Sequence, residues 1–178
     1  GVSIVTEKFE DVRPYDISTI IAGINPEWNE KSGSDDQDER FLTAVSLAED
    51  ILVKEIQSAA NDIEAENKVL SVYRAAPDKR LIVLDQYVPS SKTLSGLPEP
   101  LFVVYPEDGQ WRIKAVRRSF SGFENRKDLP EIWAGKSGDE LAKANCVPGA
   151  TFCHNKRFIA AAKTREAILT MAKLAIES

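Results

Sequence analysis

Histidine occurs once in the 178 residues, at His154, and cysteine twice, at Cys146 and Cys153. A single histidine excludes a multi-histidine metal centre and a dyad of two histidines. Two cysteines cannot staple a disulfide-rich scaffold. No apolar run nears the roughly 18–20 residues that cross a bilayer, so no transmembrane segment is expected. No GxGxxG, no GxxxxGK followed by Ser or Thr, and no GxSxG occurs, which removes the common dinucleotide, P-loop and serine-hydrolase readings. The opening GVSIVTEKFEDV carries charge too early for a secretory signal. Glycine in place of an initiating methionine leads us to expect a cut or processed chain, intracellular in origin.

What is present is ordinary globular material, 43% hydrophobic and 29% charged, enough for a real core. The charge is uneven. Residues 1–70 hold 16 acidic and 6 basic side chains, a net of −10. Residues 71–178 hold 12 and 17, a net of +5, and the two parts sum to the whole-chain −5. An anion, if one binds, belongs on the second part; the acidic first part reads as solvated faces.

Residues 14–23 read as a short helix, with Pro14 at its first turn and Gly23 at its end. The polar stretch 24–39 is a loop leading to Asp36, which looks like an N-cap with Glu39 three residues on. Phe41, Ala44, Val45, Ala48, Ile51, Leu52, Ile56, Ala59 and Ile63 then recur at helical spacing. No Gly or Pro interrupts residues 35–76, so one long amphipathic arm is predicted toward Ala76, with a break near Asn61. Pro77-Asp78 turns the chain. Strands are predicted over 81–88, 101–105 and 111–116, the last two joined by a hairpin at Pro106-Glu107-Asp108-Gly109. In the third strand Trp111, Ile113 and Ala115 share one face, and Arg112, Lys114 and Val116 the other. Residues 129–133 are irregular, 138–144 a short helix, and 150–154 and 157–161 two strands around Asn155-Lys156. A final helix from Thr164 to Ile176 faces inward through Ala167, Ile168, Met171, Leu174 and Ala175. This order predicts an α+β fold with a mixed or antiparallel sheet covered by the C-terminal helix. It divides into a helical region, 1–76, and an α+β region, 77–178.

Three constellations could carry chemistry. Cys146, Cys153 and His154 lack the paired spacing of a structural zinc site, and neighbours on a strand point to opposite faces, so buried cysteines and an edge histidine are the better reading. Lys156, Arg157, Lys163, Thr164 and Arg165 surround a strand and the start of the last helix. With Thr164 as N-cap, the first-turn amides attract anions, and Arg165 can grip a phosphate through two parallel hydrogen bonds. The competing reading neutralises Arg165 with Glu166 and leaves the lysines solvated. A second basic stretch, Arg112, Lys114, Arg117, Arg118, Arg126 and Lys127, alternates with Trp111, Phe120 and Phe123. That mixture suits a single-stranded nucleic-acid groove, although solvated strand edges are the plainer account.

Five stretches together are specific: INPEWN (24–29), FLTAVSLAEDIL (41–52), DGQWRIKAV (108–116), LPEIWAG (129–135) and DELAKANCVPGATFCHNKRFIAAAKTREAILTMAK (139–173). In this order they resemble the C-terminal half of the melanocyte-proliferating-gene (MYG) exonuclease family, within the DHH phosphoesterase superfamily, and GVSI at the start is similar to the junction after that family's catalytic domain. The resemblance implies a DHH-associated, substrate-binding domain. It also implies a metal-dependent 3′–5′ RNA exonuclease whose divalent metal, manganese foremost, sits in an N-terminal DHH domain absent from this chain. Partners implied are RNA or nucleotide and that DHH domain, with no membrane; the long amphipathic helix at 36–76 adds a candidate homodimer. The compartments implied are cytoplasm, nucleus or mitochondrion.

Two departures from the family pattern bear on the site. Ala160-Ala161 replaces a diglycine, which would strain any left-handed backbone there. Ser90-Ser91 follows Pro89 where relatives carry a tryptophan. Trp28, Trp111 and Trp133 match and are read as core or interdomain packing. The chain alone is expected to be catalytically inactive, with Lys163, Thr164, Arg165, Lys156 and Arg157 as its phosphate ligands and no metal of its own. The alternative is a non-enzymatic oligomerisation or interaction domain whose anion site has decayed. Metal-dependent protein hydrolysis gains no support from these residues.

Overall fold

The computed structural model describes residues 16–30 and 33–178. The chain forms two compact units, Gly1–Ala59 and Ala60–Ser178. In the first, α1 spans Ile17–Ala22 and is capped by Asp16, whose carboxylate accepts the Thr19 amide at 2.8 Å. That bond, with a second from the Ser18 hydroxyl, holds the Asp16 carboxyl below the ordinary carboxylate range. Gly23 ends α1 as its C-cap, and Pro14 lies outside the described residues.

Helix α2, Ser34–Ala75, is 42 residues long and unbroken, so the break near Asn61 is not seen. Its start also differs from expectation. Asp36 is not the N-cap but lies in the first turn beside Asp35, where negative charge favours the helix dipole. Its carboxylate meets Arg40 at 3.2 Å instead, and Arg40 also reaches Glu30 at 3.0 Å and the Ile24 carbonyl at 3.2 Å. One guanidinium thus ties the 24–30 loop to the helix.

The second unit is built on a five-stranded mixed sheet in the order β1-β2-β3-β5-β4, with β1 Leu81–Val83, β2 Phe102–Glu107, β3 Gln110–Ala115, β4 Ala150–Cys153 and β5 Ile159–Ala162. Only β1 and β2 run parallel. β1 is shorter than its sequence suggests. Leu84 still donates to the Val104 carbonyl at 2.8 Å, but the chain then turns at Asp85 and Gln86. The β2–β3 hairpin closes through Asp108 and Gly109, with φ of 52° and 72°, between the paired Glu107 and Gln110. Two successive positive φ values make this a type I′ turn, whose twist matches that of the strands.

Alternation in β2 and β3 sends side chains to two cores. Phe102, Val104, Ile113 and Ala115 face a core completed by Leu129, Trp133, Leu141 and α5, Arg165–Glu177. Val103, Tyr105 and Val116 face the other, completed by Ala65 and Val69 of α2, Leu84, Val88, and Leu94 of α3, Ser91–Gly96. Helix α3 lies in a stretch that carried no prediction. A 3₁₀ turn at Glu131–Trp133 and helix α4, Gly138–Asn145, close the first core. Helix α5 buries Ala167, Ile168, Met171, Ala172 and Ala175, whereas Leu174 is turned toward solvent and Ala172 takes the inward place expected of it. Cys146 is exposed, not buried, because it ends α4 in the left-handed region at φ 56°. Trp133 is buried as expected, but Trp28 is 93% exposed and forms no part of a core.

Ile168→Ala should destabilise the fold by roughly 2–5 kcal/mol, because the site is closed on all sides. Leu174→Ala should cost under about 1 kcal/mol. Equilibrium urea unfolding of the two variants checks the assigned inward face; equal losses would contradict it.

Candidate functional site

Strand β5 separates the five side chains that the sequence singles out. Lys156 and Arg157 precede it, and Lys163, Thr164 and Arg165 follow it, about 20 Å apart along an extended chain. Its pairing with β3 runs from Trp111↔Ala162 to Lys114↔Ile159. One end of the sheet therefore joins Trp111 to Lys163–Arg165, and the opposite end joins Lys114 to Lys156–Phe158.

At the first end, Thr164 is the N-cap of the 13-residue α5, and its hydroxyl oxygen accepts the Ala167 amide at 3.2 Å. The Ile168 amide donates to the Thr164 carbonyl at 3.2 Å. The Arg165 and Glu166 amides precede the first intrahelical donor, the Ile168 amide, so they point out of the helix end with its partial positive charge. The Arg165 guanidinium lies over the Trp111 ring, 5.6 Å from its centroid, and only loosely meets the exposed Asp85 carboxylate at 3.8 Å. Glu166 does not neutralise it; no ion pair joins the two among the described residues. Lys163 is exposed, and its amide donates to the Gly149 carbonyl at 2.9 Å. Gly149 holds a φ of +87°, which a side chain would strain. Sequence reasoning missed Gly149, although Pro148-Gly149 is a turn signal, and it missed the Arg165–Trp111 stack, which depends on strand register.

Ala160 and Ala161 occupy regular strand positions opposite Ile113 and Arg112. Neither is among the described non-glycine residues with positive φ, which are Asp108, Cys146 and Arg157, so no left-handed strain arises from the replaced diglycine. Arg112 is engaged by Glu107 at 2.9 Å and Asp108 at 2.8 Å, which locks the hairpin.

At the opposite end, the second basic stretch forms a groove of about 880 Å³ whose wall includes Lys114, Arg117, Arg118, Phe123, Lys156 and Phe158. Phe123 is 88% exposed and carries the Arg117 guanidinium 5.3 Å from its centroid. Several neighbouring cations are structurally committed. Arg126 donates to the carbonyls of Pro100 and Ser95, Lys127 to that of Ile176, and Arg118 and Arg157 pair with Glu124 and Asp128. Lys114, Arg117 and Lys156 are left facing the groove. Burial, and then the nearby Arg117, pull the Lys114 ammonium below its ordinary pKa, so an anion there would relieve an unfavourable charge. Lys114 also borders a cavity of about 510 Å³ beside Tyr87, Tyr105, Ser90 and Ser91. There Tyr87 meets Tyr105 edge-to-face at 5.5 Å and gives the cavity an aromatic wall.

Among the described residues no group of three or more His, Cys, Asp or Glu side chains could hold a metal ion, so this residue set does not fit a metal centre. His154 packs on Phe158 at 4.5 Å, and its Nδ1 accepts the Lys156 amide at 3.0 Å. No helix among the described residues is long and apolar enough to cross a membrane. Burial pushes the Cys153 thiol up to about 11, from an ordinary value near 9. At pH 8 a thiol reagent should therefore modify Cys146 rapidly and Cys153 only on unfolding. The unfolded thiol ionises first as pH rises, so the stability that Cys153 contributes should be full below about pH 9 and lost toward pH 11. Mass spectrometry after labelling, with urea unfolding at pH 8 and pH 10, checks both; equal labelling in the folded state would contradict the assigned burial.

Comparison with known proteins follows this geometry. The family model described as MYG1_exonuc, uncharacterised protein family UPF0160, matches residues 1–176. The MYG1 protein YER156C of Saccharomyces cerevisiae is 30% identical over 173 residues, covering 90% of this chain and 51% of that protein. The MYG1 protein of Dictyostelium discoideum is 28% identical, covering 97% and 58%. The MYG1 exonuclease of Homo sapiens is 28% identical, covering 88% and 45%. The chain thus spans about half the length of the curated relatives it matches. With the family model extending over nearly every residue, the chain belongs to the MYG1 family.

Proposed function

We propose that this chain is the substrate-binding half of a metal-dependent phosphodiesterase that trims RNA from its 3′ end, acting in an intracellular compartment. The observation that carries this reading is the conjunction at the start of α5: free first-turn amides, the Thr164 cap, and an Arg165 guanidinium held over Trp111 and paired only at 3.8 Å with the exposed Asp85. Such a site binds a terminal phosphate by charge-assisted hydrogen bonds and holds it still. The name exonuclease borne by the human relative supports a phosphodiester substrate.

The groove at the other end of the sheet fits the same task. Lys114, Arg117 and Lys156 attract the backbone, and Phe123 offers a stacking face that tolerates any base. The two ends lie about 20 Å apart along β5, with Trp111 and Lys114 on opposite faces of β3, so an RNA of a few nucleotides that reaches both crosses from one face to the other. Metal-activated attack of water on the phosphodiester is assigned to residues outside this sequence. The chain therefore binds and orients without cleaving. Ala160 and Ala161 lie in plain strand geometry without positive φ, which supports a retained anion site over the decayed-site alternative.

The Lys163→Ala/Arg165→Ala double variant should bind a short single-stranded RNA roughly tenfold more weakly at moderate salt, with the salt slope reduced by about 1.4 for two lost phosphate contacts. Fluorescence anisotropy across a salt series measures both. Unchanged affinity and slope would remove this role. Lys156→Ala should weaken binding of an octamer but not of a mononucleotide. Equal weakening of both ligands would deny that the groove extends the site.

A further inference from the structure

Within the first unit, the face of α2 that carries Phe41, Val45, Ala48, Leu52, Ile56 and Ala59 has no cover among the described residues: all six are exposed, and Leu52 is 59% accessible. At 100° per residue these positions lie within about 40° of one line along the helix. The intervals from Val45 to Ala59 are three, four, four and three, so the stripe reads the same in both directions about Leu52. The sequence extends the palindrome by one place each way, with Phe41 four residues before Val45 and Ile63 four residues after Ala59.

We infer that this face pairs with the same face of a second copy of the chain, antiparallel, about a two-fold axis at Leu52. In that register Leu52 meets Leu52 of the partner subunit. Ala48 of one copy receives Ile56 of the other, and Ala59 receives Val45. Val45 and Ile56 are thus each set against an alanine, as interdigitating helices require, while Phe41 meets Ile63 at the two ends of the stripe. A parallel pair would instead stack Ile56 on Ile56 and Ala48 on Ala48, with crowding at one level and a void at the next.

Burying this stripe with the flanking Leu42 and Val53 removes on the order of 600 Å² from water per copy, roughly 1,200 Å² in all, which meets the lower bound of a specific interface. A groove of about 470 Å³ between α1 and α2, lined by Ile21, Ile24, Phe41 and Val45 among others, widens the face where the second helix arrives. Glu49 and Glu55 lie about 60° to either side of the stripe, so the rims are acidic on both copies. Salt screens that repulsion, and association should tighten as ionic strength rises. A basic partner on the same face would show the reverse.

Sedimentation velocity over a concentration series, at low and high salt, tests the pairing with the intact protein. A dimer that strengthens with salt is expected, and Leu52→Asp should return it to monomer while circular dichroism stays unchanged, since the site is exposed. In a Cys146→Ser background, Leu52→Cys should form an inter-chain disulfide on mild oxidation. Ile56→Cys should not, whereas Ile56→Cys mixed with Ala48→Cys should. A monomer at every concentration gives the face to another occupant and overturns the proposal. So does a dimer indifferent to Leu52→Asp, weakening with salt, or equal cross-linking by Leu52→Cys and Ile56→Cys.

Discussion

Four backbone pairings between β3 and β5, from Trp111↔Ala162 to Lys114↔Ile159, set where every candidate ligand of the second unit stands. A slip of one residue would turn each side chain of β5 to the other face of the sheet, placing Ala160 and Ala162 outside the core they now fill. The same register delivers the β5–α5 connection to the Trp111 end. Because β5 is so short, the chain leaves the sheet directly into Thr164, and the cap forms where the indole already lies. Packing and the proposed anion site therefore share one constraint.

That constraint explains which side chains are free. Around the sheet most cations hold the fold together: Arg112 closes the hairpin, Arg126 satisfies two carbonyls of the 95–100 segment, and Lys127 receives the last turn of α5. Arg165 is different, since its closest carboxylate lies 3.8 Å away on an exposed residue. An exposed pair at that distance holds little energy. Lys114 and Lys156 likewise face the groove. Much of the positive charge around the sheet is thus scaffold, while Arg165, Lys114 and Lys156 stand at the two ends of the β3–β5 pairing.

Much of this was legible in the residues themselves. Period-two alternation in WRIKAV gave both faces of β3, Asp108-Gly109 gave the hairpin turn, and Thr164 gave the start of α5. What periodicity could not reach was set by tertiary contact. LDQYV has strand-forming residues, yet after Val83 it leaves the sheet to help cover one face, with α3 following. Asp36 has the chemistry of a cap, but Arg40 four residues on recruits its carboxylate. Leu174 and Ala172 exchange inward and outward places, a choice set by how α5 lies on the core and not by the pattern of apolar residues alone. The pairing of Arg165 with Trp111 joins residues 54 positions apart, and only strand register brings them together.

The most direct test of the anion grip observes the amides that form it. In a heteronuclear NMR titration of the labelled protein with a nucleoside monophosphate, the Arg165 and Glu166 amide signals should move furthest, together with the Trp111 indole, and Lys163→Ala/Arg165→Ala should abolish the movement. Shifts confined to other parts of the sheet, or none at ligand concentrations well above those of a specific site, would contradict the account.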